Sequence, residues 1–322
     1  MTRIIIGFTV LFLLIATTTL AAPIPLAAPL TEEISQYIFK QEWPAGSDKS
    51  GYGFPVHLEL DREQNIHVTE AVYNQIQKFS PDGRLISEWG GRGSGDGKFI
   101  YCYGITLDRL GNIYVTDAEN RLQKFTNSGG FLRMWEGSGL PDGKFRAPSG
   151  ITSDSFGNIY VADTGNRRIQ KFDRNGRFVK SWGDSGSDKE QLTHPTDVAV
   201  DAKGNIYVTD AGKDCIFKFD SDGKFGTTIG SPGRGNGQFS FPHGIAVDQK
   251  DNIYVVDHHL CNVQKFNSSG HFVTKFGRRG DGKGEFRRPT GIAVNANGDI
   301  YVCDTSRNRV QKFIENPLYG PR

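Results

Sequence analysis

The 322 residues carry 38 Lys and Arg against 36 Asp and Glu, and 40 of them are Gly, well above the roughly 7% share of an average chain. A formal charge of +2 excludes a strongly basic nucleic-acid binder and an acidic tail. With 11% aromatic residues, so much glycine indicates core-forming strands joined by tight turns, not a disordered chain.

At the start of the chain, Arg3 precedes the apolar run Ile4 to Ile15, and a zone of small residues follows that ends in Ala21-Ala22-Pro23. This reads as an export signal over residues 1–21, with Thr19 and Ala21 at the small-residue positions before the cut. The run also reaches the lower limit for a spanning helix, so an uncleaved membrane anchor is the alternative. Residues 22–36 form a leader, and the body is expected to be extracytoplasmic or secreted. Four cysteines in such a chain, Cys102, Cys215, Cys261 and Cys303, allow two disulfides in three pairings. Cys303, however, takes a place held by Thr, Ala and Val in sister segments, which suits a small core residue.

The body is organised by repetition. Asn-Ile-Tyr-Val-x-Asp and its relatives place Ile66, Ile113, Ile159, Ile206, Ile253 and Ile300 at intervals of 46 or 47 residues. A companion phrase ends at Phe79, Phe125, Phe172, Phe219, Phe266 and Phe313. Each copy holds four strand candidates, as in 244–248, 252–257, 262–266 and 271–277, separated by Gly, Asn and Asp turns, and no interval supports a helix. A four-stranded sheet on this period is a propeller blade, so the fold class is all-β, a six-bladed β-propeller. Blades fall near 54–99, 100–145, 146–192, 193–239, 240–286 and 287–313, in a domain of 37–315 with a tail at 316–322.

The sixth copy lacks a fourth strand, because only nine residues follow Phe313 (322 − 313). Phe39-Lys-Gln-Glu-Trp43 matches Phe178-Val-Lys-Ser-Trp182, the fourth strand of the third copy. The N-terminal segment 37–43 is therefore expected to complete the last blade and close the ring.

Pro-x-Gly-Ile-Ala-Val-Asp, Gly-Asn-Ile-Tyr-Val-x-Asp and Asn-Arg-x-Ile-Gln-Lys-Phe, best seen over Pro148 to Phe172, resemble the NHL repeat family. The resemblance covers about residues 37–315 and implies a six-bladed propeller whose loops hold ligands on one face. That face would collect Glu70, Asp117, Asp163, Asp210, Asp257 and Asp304, one at the end of each second strand. A cation-binding ring is one reading of these carboxylates. The other is that each caps its own loop or pairs with a nearby Arg, as Asp163 would with Arg167 or Arg168 and Asp304 with Arg309.

Departures from the repeat point to function, because a shared scaffold does not require them. His243 stands where sister copies have Val56, Tyr103, Ser149, Thr196 and Thr290, while His258, His259 and Cys261 replace a Thr-Gly-Asn-Arg type of loop. His194 and Asp197 open the neighbouring copy, and Asp257 lies beside the histidines. His243, His258, His259 and Cys261 are candidate ligands for zinc or another divalent metal, although no tight metal spacing is present. Pro195-Thr-Asp-Val-Ala-Val200 and Pro242-His-Gly-Ile-Ala-Val247 are similar to segments of the peptidylglycine amidating lyases, zinc enzymes built on such propellers. His243 matches one zinc ligand of that family; His57 falls one residue out of phase, and Ser149 has no histidine near it.

The phosphate-loop-like Gly277-Arg-Arg-Gly-Asp-Gly282-Lys283 lacks the Ser or Thr it needs and recurs at Gly95 to Phe99 and Gly233 to Phe239, so it is a turn. Arg92, Arg234, Arg278, Arg279 and Lys283 resemble the basic face of RNA-binding NHL propellers. They lack interleaved aromatics, and no nucleic-acid partner is expected. The expected function is an exported, monomeric binding or interaction scaffold for a protein, glycan or small ligand on its loop face, with no assigned catalytic residue. The alternative is a metal-dependent lyase or hydrolase centred on blade 5. Membrane association is expected only if the signal stays uncleaved.

Overall fold

The computed structural model describes residues 35–44, 53–136 and 142–318. The expected export signal and most of the leader lie outside the described residues. Six four-stranded antiparallel sheets follow one another around a central axis. Blade 1 runs Pro55–Leu60, Ile66–Glu70, Gln75–Phe79 and Leu85–Gly90 from the axis outward, and blade 5 runs Pro242–Val247, Ile253–Asp257, Asn262–Phe266 and Phe272–Phe276. Helix among the described residues is limited to two three-residue 3-10 turns, Thr164–Asn166 and Thr305–Arg307.

The last blade is completed by the N-terminal strand. Tyr37–Pro44 pairs antiparallel with Arg309–Glu315, with Trp43 opposite Val310 and Phe39 opposite Phe313. A β-bulge between Phe39 and Gln41 shifts the register within this pairing. The closing strand thus satisfies an edge that would otherwise present unpaired backbone groups.

Adjacent blades share cores built from alternating inward side chains. Tyr160, Ala162, Ile169 and Trp182 of blade 3, for example, pack against Ile206, Val208 and Phe219 of blade 4. At the rim, each of the chain's four tryptophans lies over a glycine in the outer turn of the next blade: Trp43 over Gly83, Trp89 over Gly129, Trp135 over Gly176 and Trp182 over Gly223. A Cβ at Gly176 would stand 2.0 Å from the Trp135 ring, and its φ of +73° independently favours glycine. Trp43 belongs to the closing strand, so blade 6 is joined to blade 1 by the same contact as blades 1 to 2, 2 to 3 and 3 to 4, while Ile229 takes the ring's place over Gly270 between blades 4 and 5.

On the face opposite the ligand loops, Asp108, Asp154, Asp201 and Asp248 each accept N–H groups from an Asn four residues on and the hydroxyl of a Tyr six residues on. In blade 1, His67 stands in the tyrosine's place, 3.2 Å from Asp61, which gives this histidine a turn-fixing role. All four cysteines are free and buried, so neither possible disulfide forms. Cys303 is a core residue between blades 6 and 1, as its small-residue position implies.

Trp43→Ala would remove a buried ring that packs on Phe79 and Tyr301, each 6.2 Å away between ring centroids. The expected loss is about 3–5 kcal/mol of unfolding free energy, read by denaturant titration. A midpoint unchanged from the parent would show that this contact does not hold the ring shut.

Candidate functional site

The repeated carboxylates are consumed by the scaffold. Glu70, Asp117, Asp163, Asp210, Asp257 and Asp304 are all fully buried. Asp163 accepts from Arg168 at 2.9 Å and Asp304 from Arg309 at 2.8 Å, while Asp117 pairs with Arg121. Glu70 takes backbone N–H groups of Phe54, Val72 and Tyr73, and Asp210 those of Thr193, His194 and Gly212. These are loop caps, and the reading as an open cation-binding ring is corrected accordingly.

Below the loop face the axis is narrow. Four innermost strands carry glycine at one level, Gly104, Gly150, Gly244 and Gly291, and the other two carry His57 and Asp197. A Cβ at Gly150 would lie 2.0 Å from Asp197 Oδ1, and one at Gly291 would lie 2.6 Å from the His57 Cα, so both are required by close approach. His57 reaches across from blade 1 to blade 4, placing Nε2 3.0 Å from Asp197 Oδ2. That same carboxylate oxygen accepts the N–H of Ile245 in blade 5, and Oδ1 accepts the N–H of Val198. Burial works against protonating His57, but the Asp197 charge and hydrogen bond, helped by Glu59, outweigh it and hold His57 above the ordinary imidazole value. Asp197, expected at the ligand face, therefore lies beneath it as half of an axial ion pair.

The blade-5 departures do come together. His194, His243, His258 and His259 surround the Phe241 ring, with centroid separations of 6.2, 6.3, 5.6 and 4.8 Å. Burial, reinforced by the neighbouring imidazoles, lowers His243 to about 3, and burial lowers His258, whose Nδ1 lies 3.2 Å from the Pro289 carbonyl. Both rings are therefore neutral at physiological pH. Asp257 lies beneath them, accepting the N–H groups of Ser240, Phe241, His259 and Leu260. Cys261 is drawn away into the core, its Sγ against the carbonyl oxygens of His258 and His259. Among the described residues no group of three or more His, Cys, Asp or Glu converges as metal ligands would, so the donors do not fit a zinc centre. Across the mouth, Phe54, Tyr101 and Tyr103 form a second aromatic arc, with Tyr101 and Tyr103 centroids 4.8 Å apart.

Sequence reasoning named the histidines but passed over Phe241, the ring they share, and the pairing of His57 with Asp197. The signal for that pairing was present in the two copies that break the run of glycines at the axial level.

Family models agree with this architecture. The NHL repeat matches residues 145–172 and 286–313, a model described as a 6-bladed beta-propeller matches 200–263, and a beta-propeller repeat matches 90–116. No curated protein matches the sequence. Among solved structures, a catalytically inactive virginiamycin B lyase from Staphylococcus aureus with quinupristin is 18% identical, with a TM-score of 0.60 over 88% of this chain and 89% of that one. An auxiliary nutrient binding protein from Bacteroides ovatus is 16% identical, with a TM-score of 0.62 over 88% and 77%. A chain of a nidogen/laminin complex is 18% identical, with a TM-score of 0.58 over 80% and 97%. These identities establish a shared fold.

Removing one partner of the axial pair by Asp197→Ala is expected to cost about 3–5 kcal/mol near pH 6. Because the folded His57 value is raised, the pair's contribution is complete below the unfolded value of about 6.5 and is lost as pH rises through the folded one. A double-mutant cycle of His57→Gln and Asp197→Asn, followed by denaturant titration at pH 6 and pH 9, should show coupling that shrinks at the higher pH. Coupling that grows with pH would contradict the assignment.

Proposed function

The chain is an NHL-repeat six-bladed propeller, and on that scaffold we propose an extracytoplasmic binding protein that holds a glycan, small ligand or protein segment on its loop face. The observation that carries this reading is the Phe241 cluster, where the repeat's loop is replaced by partly exposed rings over a carboxylate that is already satisfied. Rings with an apolar body and a polar edge suit ligands that combine flat apolar faces with hydroxyl or amide groups. The closed axis beneath makes the site a shallow recess and confines a ligand to the mouth. The nutrient-binding and laminin-complex neighbours use the same fold in binding assemblies, which supports the reading by analogy. Export rests on the N-terminal signal; among the described residues no helix is long and apolar enough to cross a membrane.

The lyase alternative finds support in the histidines being gathered and in the virginiamycin B lyase neighbour. It is disfavoured by donors that surround a phenyl ring instead of converging on a point. Purified protein should accordingly carry well under one equivalent of zinc or copper by elemental analysis. A stoichiometric ion, lost in the double variant His243→Ala and His259→Ala, would favour the lyase.

Phe241→Ala should lower affinity at least tenfold for whichever member of a panel of oligosaccharides and peptides binds the parent in calorimetric titration, with the melting temperature little changed. Binding indifferent to this substitution, with a ligand whose footprint maps elsewhere, would remove the loop face from the function.

A further inference from the structure

Beside Phe241 is a cavity of about 500 Å³ lined by Arg234, Ser240, His259, Leu260 and Arg279. It belongs to the loop face of blade 5, and the repeat provides a reference for what such a place ordinarily contains. Forty-seven residues after Arg234, Ser240 and Leu260 stand Asp281, in the loop that leads into blade 6, and Arg287 and Arg307 of blade 6. There the chain supplies its own carboxylate, with Asp281 held by Arg287 and, at 3.4 Å, by Arg307. At the entry to blade 5 the carboxylate has become Arg234 and its two partners a hydroxyl and an apolar side chain. The charge is inverted and no internal counter-ion replaces it.

Arg234 and Arg279 form no ion pair among the described residues, unlike the neighbouring Arg278, which is 2.9 Å from Glu285. Both are exposed but set in braced loops. Arg279 donates to the His259 carbonyl at 3.0 Å, and the loop bearing Arg234 is tied by Gly233 N–H to the Phe239 carbonyl and by Gly235 N–H to Gln238. Two guanidinium groups are thereby presented to one cavity with His259 between the loops. Asp214, which feels the His259 charge and has one oxygen buried, is not among the residues lining the cavity, and Asp257 is already saturated by N–H groups.

We propose that this cavity binds the carboxylate of an acidic saccharide, a uronate unit, with Arg234 and Arg279 as the anion clamp and Ser240, Leu260 and the adjoining Phe241 against the sugar ring. A guanidinium presents paired N–H donors that match a planar carboxylate. Phosphate fits less well, because the backbone N–H groups that would cradle it, at 240, 241, 259 and 260, all point inward to Asp257. A peptide would ordinarily seek an exposed strand edge, and the cavity is built from loops and side chains.

This inference rests on the loop-face reading and sharpens it. The test is calorimetric titration of the full chain, at low salt, with trigalacturonate, maltotriose, an acidic hexapeptide and inorganic phosphate. Trigalacturonate should bind at least tenfold more tightly than the others. Arg234→Gln and Arg279→Gln should each weaken it about tenfold without moving the melting temperature, and raising the salt should weaken the parent. Equal binding of maltotriose, unchanged affinity in both variants, or preference for phosphate or the peptide would overturn the proposal. If a neutral sugar binds and Phe241→Ala abolishes it, the loop face stands and only the acidic specificity fails; if no ligand in the wider panel binds, both readings fall.

Discussion

The pairing of Tyr37–Pro44 with Arg309–Glu315 is the constraint on which the molecule depends. Blades pack face to face, and at four of the six junctions a tryptophan ring is laid over the next blade's outer turn. A chain of such contacts remains open until its last member meets its first. The closing strand supplies the missing fourth strand of blade 6 and also carries Trp43, whose contact with Gly83 fastens blade 6 to blade 1. Only a closed ring forces the six innermost strands toward one axis. That convergence requires glycine at four of six positions and brings the other two side chains, His57 and Asp197, within hydrogen-bond distance.

Much of this was legible in the sequence because a repeat exposes its own requirements. The period located every blade, and the Phe39 to Trp43 spacing located the closing strand. The same logic that made six carboxylates a shared feature made them loop caps, and Asp163 with Arg168 and Asp304 with Arg309 show it. The two 3-10 turns escaped notice since three residues leave no periodic trace.

The site was less legible, for reasons of geometry. His57 lies one residue out of phase with the zinc-ligand pattern that His243 matches. In a strand that single residue turns the side chain to the opposite face of the sheet, and there His57 meets Asp197. In the sequence Phe241 is a lone aromatic before a strand, which is indistinguishable from a core residue. Its meaning comes from four imidazoles contributed by three separate segments. Arg234 and Arg279 were visible as basic loop residues, but their lack of a counter-ion appears only when blade 5 is superposed on blade 6, where Asp281 fills the same place. Departures accumulate on one blade while its neighbours keep the scaffold, which separates the part of the sequence under geometric constraint from the part free to specify a ligand.

The closing sheet also fixes how the ring would respond to tension. Tyr37 faces Glu315 at one end of the pairing, and Gln36 accepts the N–H of Asn316 just beyond it. A pull applied through the two ends of the propeller would therefore load the hydrogen bonds one pair at a time from that end, as in peeling, instead of shearing them all together. The ring would yield at its seam, and the remaining five blades would keep their sheets while the circle opened.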